Sequence, residues 1–422
     1  MLAAKVYNNE SIDKNTNNSA TSLKCVKKYE KKSSTRGQLI EKIASELFFV
    51  DFKAIIKDVV EDFNKLINTK VIAVVNEENS NKIIGIIERK NLFNILSKPF
   101  GRDILIKKSI EDVLKNEILK DIVTEIPYFY VEQNIFSILP HIQESLEARD
   151  IVYFFIVKTN KEFAGIFTNF DILFYLSSIT QQDLKIAKQI HTNIVKEKLS
   201  ISEEKFSCIA GSQMATGIGG DYYIFEKIHN TNMWILGICD ISGKGVSAAL
   251  VSTLMAGFFN LFDFSFKLSY FLKKINTYIF NTFNMEKYLT GIFIKFDSET
   301  GKIKLFDMGH GYAYLFRGNS LHKFKNHENN IPIGFVPEIN PQSIHFNLKK
   351  GDILILFTDG MIEQPNMENS QYGINRIFEI IKKNKDDNFE KILEILFEDI
   401  KKFRGYYPQH DDITIVLLKY NG

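Results

Sequence analysis

Apolar residues follow four different regimes along this chain. From residue 1 to about 38, Asn, Ser, Thr and Lys dominate, so the stretch buries too little surface to offset the entropy of ordering and is predicted to be a disordered tail. Its basic cluster, Lys27, Lys28, Lys31 and Lys32, reads as solvated rather than as a docking patch. Between about 40 and 178 one pattern is written twice. An apolar run at 71–75, a polar turn through Asn79 and Asn81, a second run at 83–87 and a helix carrying Leu92, Ile95 and Leu96 predict strand, strand, helix. The same order returns at 154–157, Thr159-Asn160-Lys161, 164–167 and a helix with Ile172, Leu173 and Leu176. Gly85 and Gly165 hold equivalent places in the two copies, and Asn91 and Asp171 follow them at the same distance.

A third regime, from 179 to about 200, spaces Leu184, Ala187, Ile190 and Ile194 by three and four, which predicts a linker helix with a narrow apolar stripe. A signalling coupler, a dimer seam and a plain linker all fit that stripe. The fourth regime, 201–422, is strand-rich. Runs at 206–209, 222–225, 233–239, 289–296, 303–308, 312–316, 344–348, 353–357 and 413–418 predict strands, and helices are expected after Gly245, around 374–381 and over 389–403. Two antiparallel sheets with helices outside would bury this much Ile and Phe, so the fold class is α+β.

The candidate chemistry sits at strand ends. Gly219-Gly220-Asp221 opens a predicted hairpin whose second strand ends in Asp240-Ile241-Ser242-Gly243-Lys244-Gly245, so Asp221 and Asp240 fall at the same end of neighbouring strands. The continuous apolar run 353–357 delivers Thr358-Asp359-Gly360, and His410-Asp411-Asp412 precedes the run at 413–418. Each motif alone is an ordinary turn. Together they supply clustered oxygen ligands and negative charge suited to hard divalent cations. Other chemistries fail: Gly243-Lys244 lacks P-loop spacing, 217–220 does not complete a dinucleotide fingerprint, and His310 and His410 have no second histidine at zinc-site spacing. His310 reads as structural, near the site edge, and Cys239 as core.

In these motifs, together with Gly309-His310 and Ile331-Pro332-Ile333-Gly334, residues 201–422 resemble the metal-dependent serine/threonine protein phosphatases (PPM family), in the SpoIIE/RsbU-like branch. The resemblance implies an αββα sandwich with two Mn2+ or Mg2+ ions at one edge. It further implies Asp240 bridging both ions, the Ile241 carbonyl on the second, Asp359 and Asp411 on the first, and Asp221 on the second directly or through water. Asp412 is a supporting residue. The implied reaction is hydrolysis of phosphoserine or phosphothreonine by a bridging water, with no phosphoenzyme. The implied substrate is a small phosphorylated regulatory protein of the anti-sigma-factor antagonist type, in bacterial partner switching. A degenerate phosphatase serving as a nucleotide-responsive scaffold is the alternative.

The repeat at 40–178 resembles a tandem pair of CBS modules. That likeness implies a smaller α/β regulatory domain with an adenine nucleotide in its cleft and Asp171 on the ribose, while Asn91 departs from the acidic residue at the matching place. A domain that only dimerises, with Asp171 as a helix cap, is the other reading.

Totals change the picture little. Lys plus Arg number 53 against 51 Asp plus Glu, so charge points neither to nucleic acid nor to an anionic membrane. Cys25, Cys208 and Cys239 form neither a disulfide framework nor a metal-ligand spacing, no apolar run reaches membrane-span length, and the start lacks a secretory signal. The expectation is a cytoplasmic protein, with homodimerisation open.

Overall fold

The computed structural model describes residues 22–31, 39–99, 101–116, 119–147, 149–385 and 389–422. The chain divides into two compact units, Met1–Gln181 and Gln182–Gly422.

In the first unit the repeat takes physical form. Strand Phe48–Asp51, helix Ile56–Lys65, strands Val71–Asn76 and Lys82–Glu88 and helix Arg89–Leu96 make one copy. Strand Tyr128–Tyr130, helix Ile135–Glu147, strands Tyr153–Val157 and Phe163–Thr168 and the helix starting at Asn169 make the other. In each copy the first strand pairs parallel with the second and the second antiparallel with the third. The register slips at the same place in both, between Val74 and Val75 beside Gly85, and between Ile156 and Val157 beside Gly165.

The tail expectation is corrected for residues 22–31. Lys27–Lys28 pairs antiparallel with Phe48 and Phe49, and Val26 is buried. The cause is one buried carboxylate: Asp62 accepts the backbone N–H groups of Lys24, Cys25 and Val26 at 2.8 to 3.0 Å. Nor is the basic cluster simply solvated, because Lys27 pairs with Glu77 and Lys31 Nζ donates to the Ala44 carbonyl. Residues 1–21 and 32–38 of the expected tail lie outside the described residues.

The helix of the second copy and the linker helix are one element, Asn169–Ile194. Past it the chain forms strand Lys198–Ser202, which was expected as linker.

The second unit is a sandwich of two antiparallel sheets. One runs Ser320–Lys323, Ala313–Arg317, Ile353–Phe357, Ile413–Tyr420, Phe206–Gln213, Lys198–Ser202; the other runs Tyr222–Lys227, Met233–Ile241, Leu289–Asp297, Lys302–Met308, Ile344–Asn347. Period-two alternation explains the continuous apolar strands. Leu354 and Leu356 face the core between the sheets, while Ile353, Ile355 and Phe357 face helices Ile374–Asn384 and Phe389–Arg404. Helices Val246–Leu261 and Leu268–Phe283 cover the other sheet through Val251, Met255, Phe259, Phe271 and Ile275, which completes the αββα order.

The two ends of the sandwich differ in chemistry. At one end Phe206 meets Phe225, Trp234 and Phe296 edge-on, with centroids 5.1 to 5.7 Å apart. Full burial of each such side chain contributes roughly 1.5–3 kcal/mol, so this end is the firm one. The opposite end carries the aspartates.

Candidate active site

Four strand ends converge at that edge. Asp221 precedes Tyr222, which pairs with Cys239; Asp240 itself pairs with Thr290 on the next strand. Thr358 and Asp359 follow Phe357, which pairs with Ile415, and Asp412 precedes Ile413. The convergence needs glycine: a Cβ on Gly360 would stand 2.1 Å from the Asp412 carbonyl, and one on Gly219 2.1 Å from Asp412 Oδ2. A Cβ on Gly220 would come within 2.9 Å of the Ile241 carbonyl, so that carbonyl faces the Gly219-Gly220-Asp221 turn.

Each predicted residue has a distinct setting. Asp221 is buried, and its Oδ2 accepts the hydroxyls of Thr358 at 2.7 Å and Thr414 at 2.6 Å; Ser212 Oγ lies 2.8 Å from Thr414 Oγ1 behind them. Burial, then repulsion from Asp240 and Asp412, holds its carboxyl well above the usual range. Asp240 is pushed up to about 7 by burial and by the charges of Asp359, Asp411 and Asp412. Asp359 is raised by burial and then by Asp411 and Glu363. Asp411 is partly exposed, with Lys244 Nζ 2.9 Å from its Oδ2. Asp412 accepts the backbone N–H groups of Ala215 and Gly220, both at 2.8 Å, and so clamps the loop before Asp221.

The structure thus brings Asp221, Asp240, Ile241, Asp359 and Asp411 to one edge. Asp171 belongs to the other unit. There its Oδ2 accepts the Thr168 N–H and hydroxyl, both at 2.7 Å, and the Ser45 hydroxyl at 2.7 Å, while Thr168 Oγ1 accepts the Asp171 N–H at 3.2 Å. That reciprocal pair caps the helix.

Sequence reasoning gives no role to Ser212 or Asp307, and none to Lys244 beyond a rejected phosphate loop. Asp307 is buried and accepts the N–H groups of His310 and Gly311, which sets the turn that presents His310. His310 is a strut between sheets: Nδ1 lies 2.9 Å from Thr290 Oγ1 and Nε2 donates to the Phe357 carbonyl at 2.9 Å. It thereby ties the strand beside Asp240 to the one that carries Asp359. Burial lowers its pKa to about 4, so neutral imidazole is the folded form. Because the folded value lies below the unfolded one of about 6.5, its contribution is present above that pH and is lost as pH falls toward 4. An NMR titration of the His310 ring should show no protonation between pH 8 and 5. A midpoint near 6.5 would mean that the strut is absent in solution.

Among the described residues no three His, Cys, Asp or Glu side chains stand as a finished metal cage. The donor chemistry still fits hard dications. All five aspartates offer oxygen, and three of them, Asp359, Asp411 and Asp412, add their repulsion to burial at Asp240, a charge that cations would relieve. Cys239 is buried and its thiol is pushed far up, so it offers no nucleophile beside Asp240.

Residues 230–421 match the family described as Stage II sporulation protein E (SpoIIE), a match that begins after Asp221. Phosphoserine phosphatase RsbU of Bacillus subtilis (strain 168) is 23% identical over 245 residues, covering 57% of this chain and 71% of RsbU. Among solved structures, the SiaA-PP2C domain of Pseudomonas aeruginosa aligns with 58% of this chain and 98% of its own length, at 16% identity and a TM-score of 0.48. The catalytic domain of the serine/threonine protein phosphatase PstP, solved with two manganese ions, aligns with 52% and 99% at 16% identity and a TM-score of 0.40. The family match falls on the unit that gathers the aspartates, and with the likeness to RsbU it makes the C-terminal unit SpoIIE-like.

Proposed function

We propose that the chain is a metal-dependent protein phosphatase acting on phosphoserine or phosphothreonine. The observation that carries this is the convergence of Asp221, Asp240, Asp359 and Asp411 at one sheet edge, where burial and then repulsion from its neighbours raise the Asp240 carboxyl and cations would relieve the charge. Asp240 would be shared by two Mn2+ or Mg2+ ions, with Asp359 and Asp411 on one, and Asp221 and the Ile241 carbonyl on the other. Ions so held supply an activated water and neutralise the phosphoryl oxygens for in-line attack. Asp412 keeps the Gly219-Gly220 turn in place, and His310 keeps the two sheets in register beside Asp240. Release of phosphate from an aryl phosphate, dependent on manganese and abolished by chelator, tests the reading; no release at any manganese concentration would leave the degenerate scaffold.

The finer reading rests on similarity to RsbU: the substrate is a small phosphorylated regulatory protein of the anti-sigma-factor antagonist type, in a partner-switching pathway. Three free cysteines and the absence, among the described residues, of a helix long and apolar enough to cross a membrane fit a cytoplasmic setting for that exchange.

The first unit is the regulatory part of this proposal, a CBS-like pair with an adenine nucleotide as ligand. The doubled topology supports it, as does a cleft of about 610 Å³ lined by Lys70, Glu88 and Phe93 from the first copy and Asp150, Ile151 and Tyr153 from the second. Asp171 does not line that cleft, and to meet a ribose it would give up its bond from Ser45. Helix Asn169–Ile194 is the proposed coupler: its end packs on the catalytic unit through His191, Ile194 and Val195, whereas Leu184, Ile186 and Ile190 are left exposed, a face also suited to a homodimer seam. Replacing both Ala187 and Ile190 by Asp should change basal turnover and remove a response to adenine nucleotides, and Asp171→Ala should remove the response alone. Coupling of this kind is typically about 1–3 kcal/mol, a 5- to 150-fold effect. Equal turnover of wild type and both variants, with and without AMP or ATP, would reduce the first unit to a passive module.

A further inference from the structure

Lys244 is the cation, among the described residues, that forms an ion pair with one of the five aspartates. It stands between Gly243 at φ +86° and Gly245 at φ +74°, conformations that side chains disfavour, so the loop is shaped to fold this one side chain back over the edge. The loop is held from the other side as well. Lys287 Nζ donates to the Ser242 carbonyl at 2.8 Å, and the Tyr288 N–H donates to Ser242 Oγ at 3.0 Å. Lys244 Nζ also donates to the His410 carbonyl at 2.6 Å, which keeps it at the edge whatever becomes of Asp411. Nearly half of its side chain remains exposed, at 47%.

Resting on the metal-phosphatase reading, we infer that Lys244 is the substrate-phosphate receptor of this site, and that it holds Asp411 only until Asp411 is committed as a metal ligand. Full ionisation of five aspartates against two dications leaves about one negative charge, and a phosphate monoester brings up to about two more. The ammonium of Lys244 is the protein charge placed to offset that excess. With Asp411 engaged, its free donors face the solvent side, from which a phosphoryl group must enter. Lysine suits this role as a mobile point charge, while the bond to the His410 carbonyl limits how far it can stray. The same geometry makes Lys244 a competitor for the metal-free site, so its removal affects two equilibria in opposite directions.

The experiment uses full-length protein and three readouts: Mn2+ titration by calorimetry, inorganic phosphate binding to the Mn2+-loaded protein, and aryl phosphate kinetics. Lys244→Met should bind Mn2+ several-fold more tightly than wild type, bind phosphate about tenfold more weakly, and raise KM more than it lowers kcat. Lys244→Arg should bring phosphate affinity and KM back toward wild type. Weaker Mn2+ binding by Lys244→Met, or unchanged phosphate affinity in a variant that loads with Mn2+, would overturn the assignment and leave Lys244 as a loop strut. Wild-type protein that binds no Mn2+ would overturn the metal reading itself, a result distinct from either.

Discussion

Asp240→Asn should lose phosphatase activity by about 10³-fold or more while the protein stays folded, a deficit of at least about 4 kcal/mol in transition-state stabilisation. The size of the effect follows from where Asp240 stands. Its carboxylate lies within electrostatic reach of Asp359, Asp411 and Asp412, Asp221 in turn feels Asp240, and in the proposed function it is the ligand that both ions would share. Folding should survive because Asp240 pairs with Thr290 through the backbone, and Asn keeps both shape and strand geometry. Aryl phosphate turnover at saturating manganese, with a thermal melt as control, is the measurement. Turnover near wild type would mean that Asp240 is not a shared ligand.

That Asp240 was legible in the sequence has a physical cause. Asp240 and Asp359 come at the ends, and Asp411-Asp412 just before the start, of interior strands that read as apolar runs, so the residues where each run stops are conspicuous, as at Ile353–Phe357 before Thr358-Asp359. Edge strands with one or both faces in solvent give no such signal. Ser320–Lys323 keeps three of its four side chains exposed and is absent from the predicted strands, as is Lys198–Ser202, exposed on one face, whose start falls in the expected linker. Helix Leu268–Phe283 was missed although Leu268, Phe271, Leu272, Ile275 and Ile279 are spaced for one buried face. Its β-branched and aromatic residues, among them Tyr270, Thr277 and Tyr278, obscured the period.

Contacts between distant parts of the chain were beyond reach for a different reason. The strand at Lys27–Lys28 depends on Asp62 gathering three N–H groups, and nothing near residue 27 announces that partner. Likewise Lys244 was weighed only as a failed phosphate loop, because its partner Asp411 lies at the far end of the domain sequence. The hydroxyls of Thr358 and Thr414 stood inside recognised motifs, but their common acceptor, Asp221, emerges only when the two sheets meet.

The second large effect concerns metal removal. In chelator, the raised carboxyls of Asp221, Asp240, Asp359 and Asp412 bind protons more readily in the folded than in the unfolded chain, where an aspartate titrates near 3.9. A folded pKa raised in this way stabilises fully below the unfolded value and is lost as pH rises through the folded one. For Asp240 the window runs from about 4 up to about 7 and spans on the order of 4 kcal/mol. His310 works in the opposite sense between 6.5 and 4, so the quantity to follow is the difference between wild type and variant at each pH. Metal-free Asp221→Asn should therefore melt several degrees above wild type at pH 7.5, corresponding to about 1–3 kcal/mol, because the amide oxygen still accepts the Thr358 and Thr414 hydroxyls without the buried charge. Manganese should reverse the order, since wild type gains about 2.7 kcal/mol at a hundredfold excess over its Kd and a variant short of one ligand gains less. A lower midpoint for Asp221→Asn in chelator would show that the two hydroxyls require a carboxylate, and would make Asp221 a structural acceptor rather than part of a cation site.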